Sequence, residues 1–206
     1  MANGFNLLAP VYDLLARLVF GKCIDKSQCH FFGTAVNVKS ALVAGGGTGR
    51  FFEEYFRQHP DSQLVFIEKS PTMIAKARSR TTPDMDIFFV EADFTTRHET
   101  GSYELVLLPF FLDMFSDESV ESIVKSLSMA SNPHMQLVVT DFVEQEKRGL
   151  KSLLIRCMYL FFRLTCDMEA HRLPKWQEAF ARSGWNIEQS ATYCKGMIGT
   201  YLLARS

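Results

Sequence analysis

The 206-residue sequence is short of several things, and each shortage removes a class of function. It has five cysteines (Cys23, Cys29, Cys157, Cys166 and Cys194), and no two form a C-x-x-C pair. Neither a zinc knuckle, a redox dithiol nor the tight cysteine triplet of an iron–sulfur cluster is encoded. Free, buried thiols in a reducing cytoplasm are the expectation. There is no basic surplus: the formal net charge is −1, so the electrostatic footprint of a nucleic-acid binder is missing. No apolar run reaches the roughly twenty residues that a bilayer-spanning helix needs. The longest, Leu153 to Leu164, is broken by Arg156 and Arg163, leaving peripheral membrane contact as the most that is expected. The opening MANGFNLLAPVYD has no basic leader and does not read as a signal peptide. Repeats, low-complexity tracts and Gly/Ser linkers are absent too, which fits one domain with a single sizeable core.

What is present is an alternation of short apolar runs with helical stretches, the pattern of a parallel sheet flanked by helices. The runs are 41–44, 64–67, 87–90, 105–108 and 135–140. They are continuously apolar rather than alternating, as expected of strands covered on both faces. Helices are expected after residue 51, ending near His59-Pro60; after Ser70-Pro71, which supply an N-cap and a first-turn proline; over 117–129; over about 147–166; and over 174–182. Two further strands, 185–192 and 197–204, flank a Lys195-Gly196 turn and read as an antiparallel pair at one edge. Ahead of the first strand, helical segments at 5–20 and 24–32 read as a cap over one end of the sheet.

Ligands of open α/β sheets bind beyond the carboxyl ends of the strands. The first strand ends in Gly45-Gly46-Gly47-Thr48-Gly49, the second in Glu68-Lys69, the third in Glu91-Ala92-Asp93-Phe94 and the fourth in Pro109. A dinucleotide fingerprint would need a small residue at Arg50 or Phe52, and a P-loop would need Gly-Lys-Ser/Thr; neither condition is met. The G-x-G-x-G run at Gly45, Gly47 and Gly49, with Glu68 and Asp93 at the next two strand ends, resembles the class I S-adenosylmethionine-dependent methyltransferases. Ala9-Pro10-Val11-Tyr12-Asp13 is similar to the segment that opens the quinone-biosynthesis C-methyltransferases.

The resemblance implies a Rossmann-like three-layer α/β sandwich around a mostly parallel seven-stranded sheet with an antiparallel C-terminal edge. It implies one domain over 1–206: a helical cap at 1–36, a cofactor-binding half at 37–142, and substrate-side helices with the strand pair at 143–206. S-adenosylmethionine is the implied cofactor. Glu68 would accept both ribose hydroxyls, for which a carboxylate has the two oxygens required. Asp93 would face the adenine amino group with Phe94 against the ring, Met73 would pack on the adenine, and Tyr12 would close over the methionine end. Gly46, Thr48, Lys69 and Pro109 complete the implied site. One position departs from the family: Val43 stands where an acid is common, two residues before the first glycine.

Methyl transfer to carbon or a phenolic oxygen also needs a base, and Asp113 and His171 are the candidates. The Asn/Asp-Pro-Pro-aromatic motif of amino-methylating enzymes is not matched at Leu108-Pro109-Phe110-Phe111. Asp141 lacks the companion ligands of a catechol-type metal site, so no metal is expected. A small apolar or aromatic acceptor, a homodimer built on the long 147–166 helix, and a cytoplasmic location complete the expectation. Two rival readings are a methyltransferase-like binding module without catalysis and a nicotinamide-dependent oxidoreductase.

Overall fold

A computed structural model describes residues 20–96, 101–129, 132–143, 170 and 172–205. Seven strands form one sheet in the order β3-β2-β1-β4-β5-β7-β6. They are β1 (Ser40–Ala44), β2 (Gln63–Glu68), β3 (Asp86–Glu91), β4 (Leu105–Pro109), β5 (Gln136–Phe142), β6 (Trp185–Tyr193) and β7 (Ile198–Arg205). The first five are mutually parallel; β7 runs antiparallel to β5, and β6 antiparallel to β7. The expected mostly parallel sheet with an antiparallel C-terminal edge is what the chain builds. The chain winds from β1 outward to β3, then restarts with β4 on the other side of β1, so the direction of winding switches at the end of β1.

The continuous apolar runs divide between two layers because successive strand side chains point to opposite faces. Leu42, Ala44, Val106, Leu108, Leu137 and Val139 enter one core, together with Trp176, Phe180 and Trp185. Ala41, Val43, Leu105, Leu107 and Val138 enter the other, where Phe32, Phe51, Phe52, Tyr55, Phe56 and Phe66 make an aromatic layer. Each buried Val, Leu or Phe side chain contributes about 1.5–3 kcal/mol.

The helices are α1 (Cys23–Gln28), α2 (Phe52–Gln58), α3 (Pro71–Arg78), α4 (Asp117–Ser128) and α5 (Trp176–Arg182). Ser70 caps α3 by accepting the Met73 N–H, and Ser116 caps α4 by accepting the Ser119 N–H. Val120, Ile123, Val124 and Leu127 recur at helical spacing on α4, and all are buried.

Four expectations are corrected. The helix expected over 24–32 stops at Gln28, and the chain continues into a short 3-10 turn at Phe32–Thr34. The fifth strand runs on to Phe142, so Asp141 lies within it. Lys195-Gly196 belongs to a 3-10 turn that begins at Cys194, with Cys194 and Lys195 both at positive φ. Finally, Cys23 and Cys194 are not free thiols: they pair in a disulfide across 171 residues of sequence, with Cα atoms 5.9 Å apart. Nothing in their spacing announces that contact, because it is made by the sheet order that brings α1 against the β6–β7 turn. Cys29 is free, and burial pushes its thiol up to about 12. Tyr12, His171, residues 5–19 of the helical segment expected at 5–20 and the long helix expected at 147–166 lie outside the described residues.

Candidate cofactor site

The glycine run leaves β1 as a sharp turn in which Gly45, Gly47 and Gly49 all have φ near +60°, a region that costs other residues strain. Its glycines differ in their surroundings. A Cβ on Gly45 would stand 2.5 Å from the Phe111 ring, one on Gly46 2.2 Å from the Phe66 ring, and one on Gly49 2.4 Å from the Phe52 ring. A Cβ on Gly47 would meet nothing within 4 Å. The loop is therefore packed on aromatic rings at Gly45, Gly46 and Gly49 and bare at Gly47. Thr48 is buried within it.

Backbone and carboxylate contacts stitch three strand ends together. The Gly45 N–H donates to the Ile67 carbonyl at 2.9 Å, and the Ala92 N–H donates to the Glu68 carbonyl at 3.2 Å. Glu68 Oε2 accepts the Gly47 N–H at 3.1 Å, and its Oε1 accepts the Ser70 N–H at 2.9 Å. Burial pushes the Glu68 carboxyl above its ordinary range, opposed by the backbone N–H groups of Ser70, Gly47 and Lys69. Three backbone donors leave the carboxylate, with its roughly four acceptor sites, able to take a further donor.

Asp93 is shared between neighbours. Its Oδ1 accepts both the backbone N–H and the hydroxyl of Thr95, at 3.0 and 2.6 Å, and its Oδ2 pairs with Lys69 Nζ at 2.9 Å. Partial burial pushes its pKa up, but the Thr95 and Lys69 contacts outweigh this and hold it below the usual value. Phe94 is buried with its ring edge-on to Phe111 at 5.7 Å, and Met73 is buried at the start of α3. Gly45 to Gly49, Glu68, Lys69 and Asp93 thus form one contiguous rim.

Val43 is fully buried in the aromatic layer beside Phe66. An acid at this position would place a charge among apolar side chains, at a cost of several kcal/mol unless paired.

At the end of β4, Pro109 is buried and pairs in register with Thr140 of β5. Phe110 follows at φ 51°, its N–H donating to the Thr140 carbonyl at 2.6 Å and its ring 5.1 Å from that of Phe142. Asp113 neither caps α4 nor lies in solvent: it is 6% exposed, and its backbone N–H donates to Asp141 Oδ2 at 3.1 Å. Asp141 Oδ1 accepts the Phe142 N–H at 3.2 Å. Burial first, and then the charge of Asp113, push Asp141 well above the usual carboxylate range. This carboxyl pair escaped sequence reasoning because the partners lie 28 residues apart on different elements. So did Asp25, whose Oδ2 pairs with Arg50 Nη2 at 2.6 Å directly beside the glycine loop.

Residues 41–134 match a family model described as a methyltransferase domain. No curated protein matches the sequence. Among solved structures, the chain is similar to the mitomycin 7-O-methyltransferase MmcR, with 19% identity and a TM-score of 0.71 over 98% of this chain and 60% of that one. It is similar to human N-acetylserotonin methyltransferase in complex with SAM, with 17% identity and a TM-score of 0.68 over 88% of this chain and 51% of that one. A third is CalO1, a methyltransferase in calicheamicin biosynthesis in its SAH-bound form, with 17% identity and a TM-score of 0.63 over 88% of this chain and 54% of that one. The chain spans between half and three fifths of the length of these structures. Sheet order and the solved neighbours together identify a Rossmann-like α/β fold of the kind seen in methyltransferases, and residues 41–134 match the methyltransferase-domain model.

Proposed function

We propose that the protein is an S-adenosylmethionine-dependent methyltransferase acting on a small apolar or aromatic acceptor. The observation that carries this reading is the direct bond from the Gly47 N–H to Glu68, which joins the bare point of the glycine turn to a carboxylate that can take a further donor. Two vicinal hydroxyls need two acceptor oxygens side by side, and Glu68 offers them already oriented by backbone donors. Asp93 and Lys69 at the end of β3 and β2 form the polar rim for an adenine, with Phe94 and Met73 as the apolar groups behind it. The residues present fit the cofactor.

When bound, the cofactor supplies a methyl group already activated on a sulfonium. The chain's own residues then have to bind, align and exclude water. The turn at Gly45 to Gly49 lets the backbone approach closely, and Phe111 packs on Gly45. On the acceptor side, at the carboxyl ends of β4 and β5, Asp113 and Asp141 are paired with each other and almost wholly buried, so neither is offered as the base. Phe110 and Phe142 make that side aromatic, which supports an apolar ring as acceptor. MmcR, named as a 7-O-methyltransferase, favours oxygen as the atom methylated; the quinone-pathway resemblance, which favours carbon, rests on Ala9 to Asp13 outside the described residues.

Calorimetry with S-adenosylhomocysteine tests the cofactor assignment: binding is expected, and its absence with retained folding overturns the reading in favour of a module without catalysis. A methyl-transfer panel of lipophilic phenols and quinones against polar metabolites tests the acceptor. Preference for the polar set overturns the apolar assignment and leaves the cofactor assignment standing.

A further inference from the structure

The amino-acid end of S-adenosylmethionine carries an ammonium group, which calls for an anionic acceptor when drawn out of water. The acid that the resembled family commonly carries two residues before the first glycine is missing here, where Val43 is sealed in the aromatic layer. An anion has to come from another element.

Helix α1 brings one. Its place is fixed on the β4–β5 side of the glycine loop, where the Ser27 carbonyl accepts the hydroxyls of Thr200 at 2.9 Å and Thr140 at 3.5 Å. The Cys23–Cys194 disulfide ties the same helix to the β6–β7 turn. Asp25 of α1 reaches the loop by pairing its Oδ2 with Arg50, the residue after Gly49. Its Oδ1 is shielded from solvent and has no hydrogen-bond partner among the described residues. A shielded carboxylate oxygen left without a donor is destabilising, and a cationic donor reverses that cost.

Strand order fixes the direction. Glu68 and Asp93 lie over β2 and β3, the glycine turn over β1, and α1 over β5 and β7. A nucleoside with its ribose at Glu68 crosses the loop at Gly47 and brings its amino-acid end to the side where Asp25 stands.

We propose that Asp25 Oδ1 receives the α-ammonium group of S-adenosylmethionine, taking over from the cap the role that a strand acid would otherwise fill. The assignment rests on the cofactor reading above. Arg50 holds the carboxylate in place.

The test compares two ligands by calorimetry: S-adenosylhomocysteine, which has the amino-acid end, and 5′-methylthioadenosine, which has the same nucleoside thioether without it. Asp25→Asn is expected to weaken S-adenosylhomocysteine about tenfold, as for a lost hydrogen bond between charged groups, and to leave methylthioadenosine unchanged. Asp25→Glu, which keeps the charge, should retain more of the S-adenosylhomocysteine affinity than Asp25→Asn. Equal weakening of both ligands means that Asp25 acts only through Arg50 on the loop, and overturns the proposal. Unchanged affinity for both also overturns it. A wild-type protein that binds neither ligand overturns the cofactor reading itself, a failure distinct from that of Asp25 alone.

Discussion

Two carboxyl groups near strand ends, Glu68 on β2 and Asp141 on β5, begin alike and finish differently. Each accepts a backbone N–H on each oxygen, and burial pushes each above the ordinary carboxylate range. Beside Glu68 the backbone is bare at Gly47, so the remaining acceptor capacity faces a place where a ligand can bring a further donor. Beside Asp141 stands a second carboxyl, Asp113, and both side chains are almost wholly buried. The β2 end is left for a ligand to complete; the β5 end completes itself. A strand-end acid reads as a ligand site only when the neighbouring backbone leaves room for the ligand.

The comparison breaks first at the glycines. Gly46 has an ordinary φ, so Gly46→Ala tests space alone: the new methyl would press on the Phe66 ring, which is itself wedged between Phe52 and Phe89. Chemical denaturation should show a loss of about 2–3 kcal/mol, the upper range for overpacking. A smaller loss means that the aromatic layer yields. Next comes Glu68→Ala, expected to weaken S-adenosylhomocysteine by about 2 kcal/mol in calorimetry, while Asp141→Asn leaves that affinity unchanged. Equal effects at both carboxyls would erase the distinction between the two ends. Gly47→Ala meets no atom but keeps a positive φ of 57°, so its expected stability loss is about 1 kcal/mol. Its effect on ligand affinity should exceed its effect on folding.

The sheet was legible because its signal is local. Continuous apolar runs mark strands buried on both faces, and Ser70-Pro71 marks a helix start within four residues. That Gly45 to Gly49, Glu68 and Asp93 come together was legible for a related reason: each stands at or just past the end of its own strand, and parallel register does the gathering. Contacts between distant elements were not legible. Asp25 meets Arg50, Asp113 meets Asp141 and Cys23 meets Cys194 only because the β4 crossover and the β5–β7–β6 edge bring their elements together. Val43 was readable as a departure, but not as a residue enclosed by Phe51, Phe52 and Phe66. That enclosure needs α2 and β2 to be packed together.

The smallest expected effect is a slope with pH, and its sign follows from the carboxyl pair. Asp141 has a native pKa above its unfolded value, so the folded chain binds more protons than the unfolded one between the ordinary carboxylate value, about 4, and the raised value. Stability is greatest below that window and falls as pH rises through it. Asp93 and Asp117 act in the opposite sense and in a separate window, because the pKa of each is lowered: their contribution is present above about 4 and is lost as pH falls below it. Asp113→Asn removes the charge facing Asp141 and keeps a side chain of the same shape. The Asp141 carboxyl should then shift down, and the fall in the urea midpoint above about pH 4 should become shallower. The acid limb below that value should stay as it is. If wild type and Asp113→Asn share one pH profile, the two carboxyls are not coupled. The β5 end would then be no more self-contained than the β2 end.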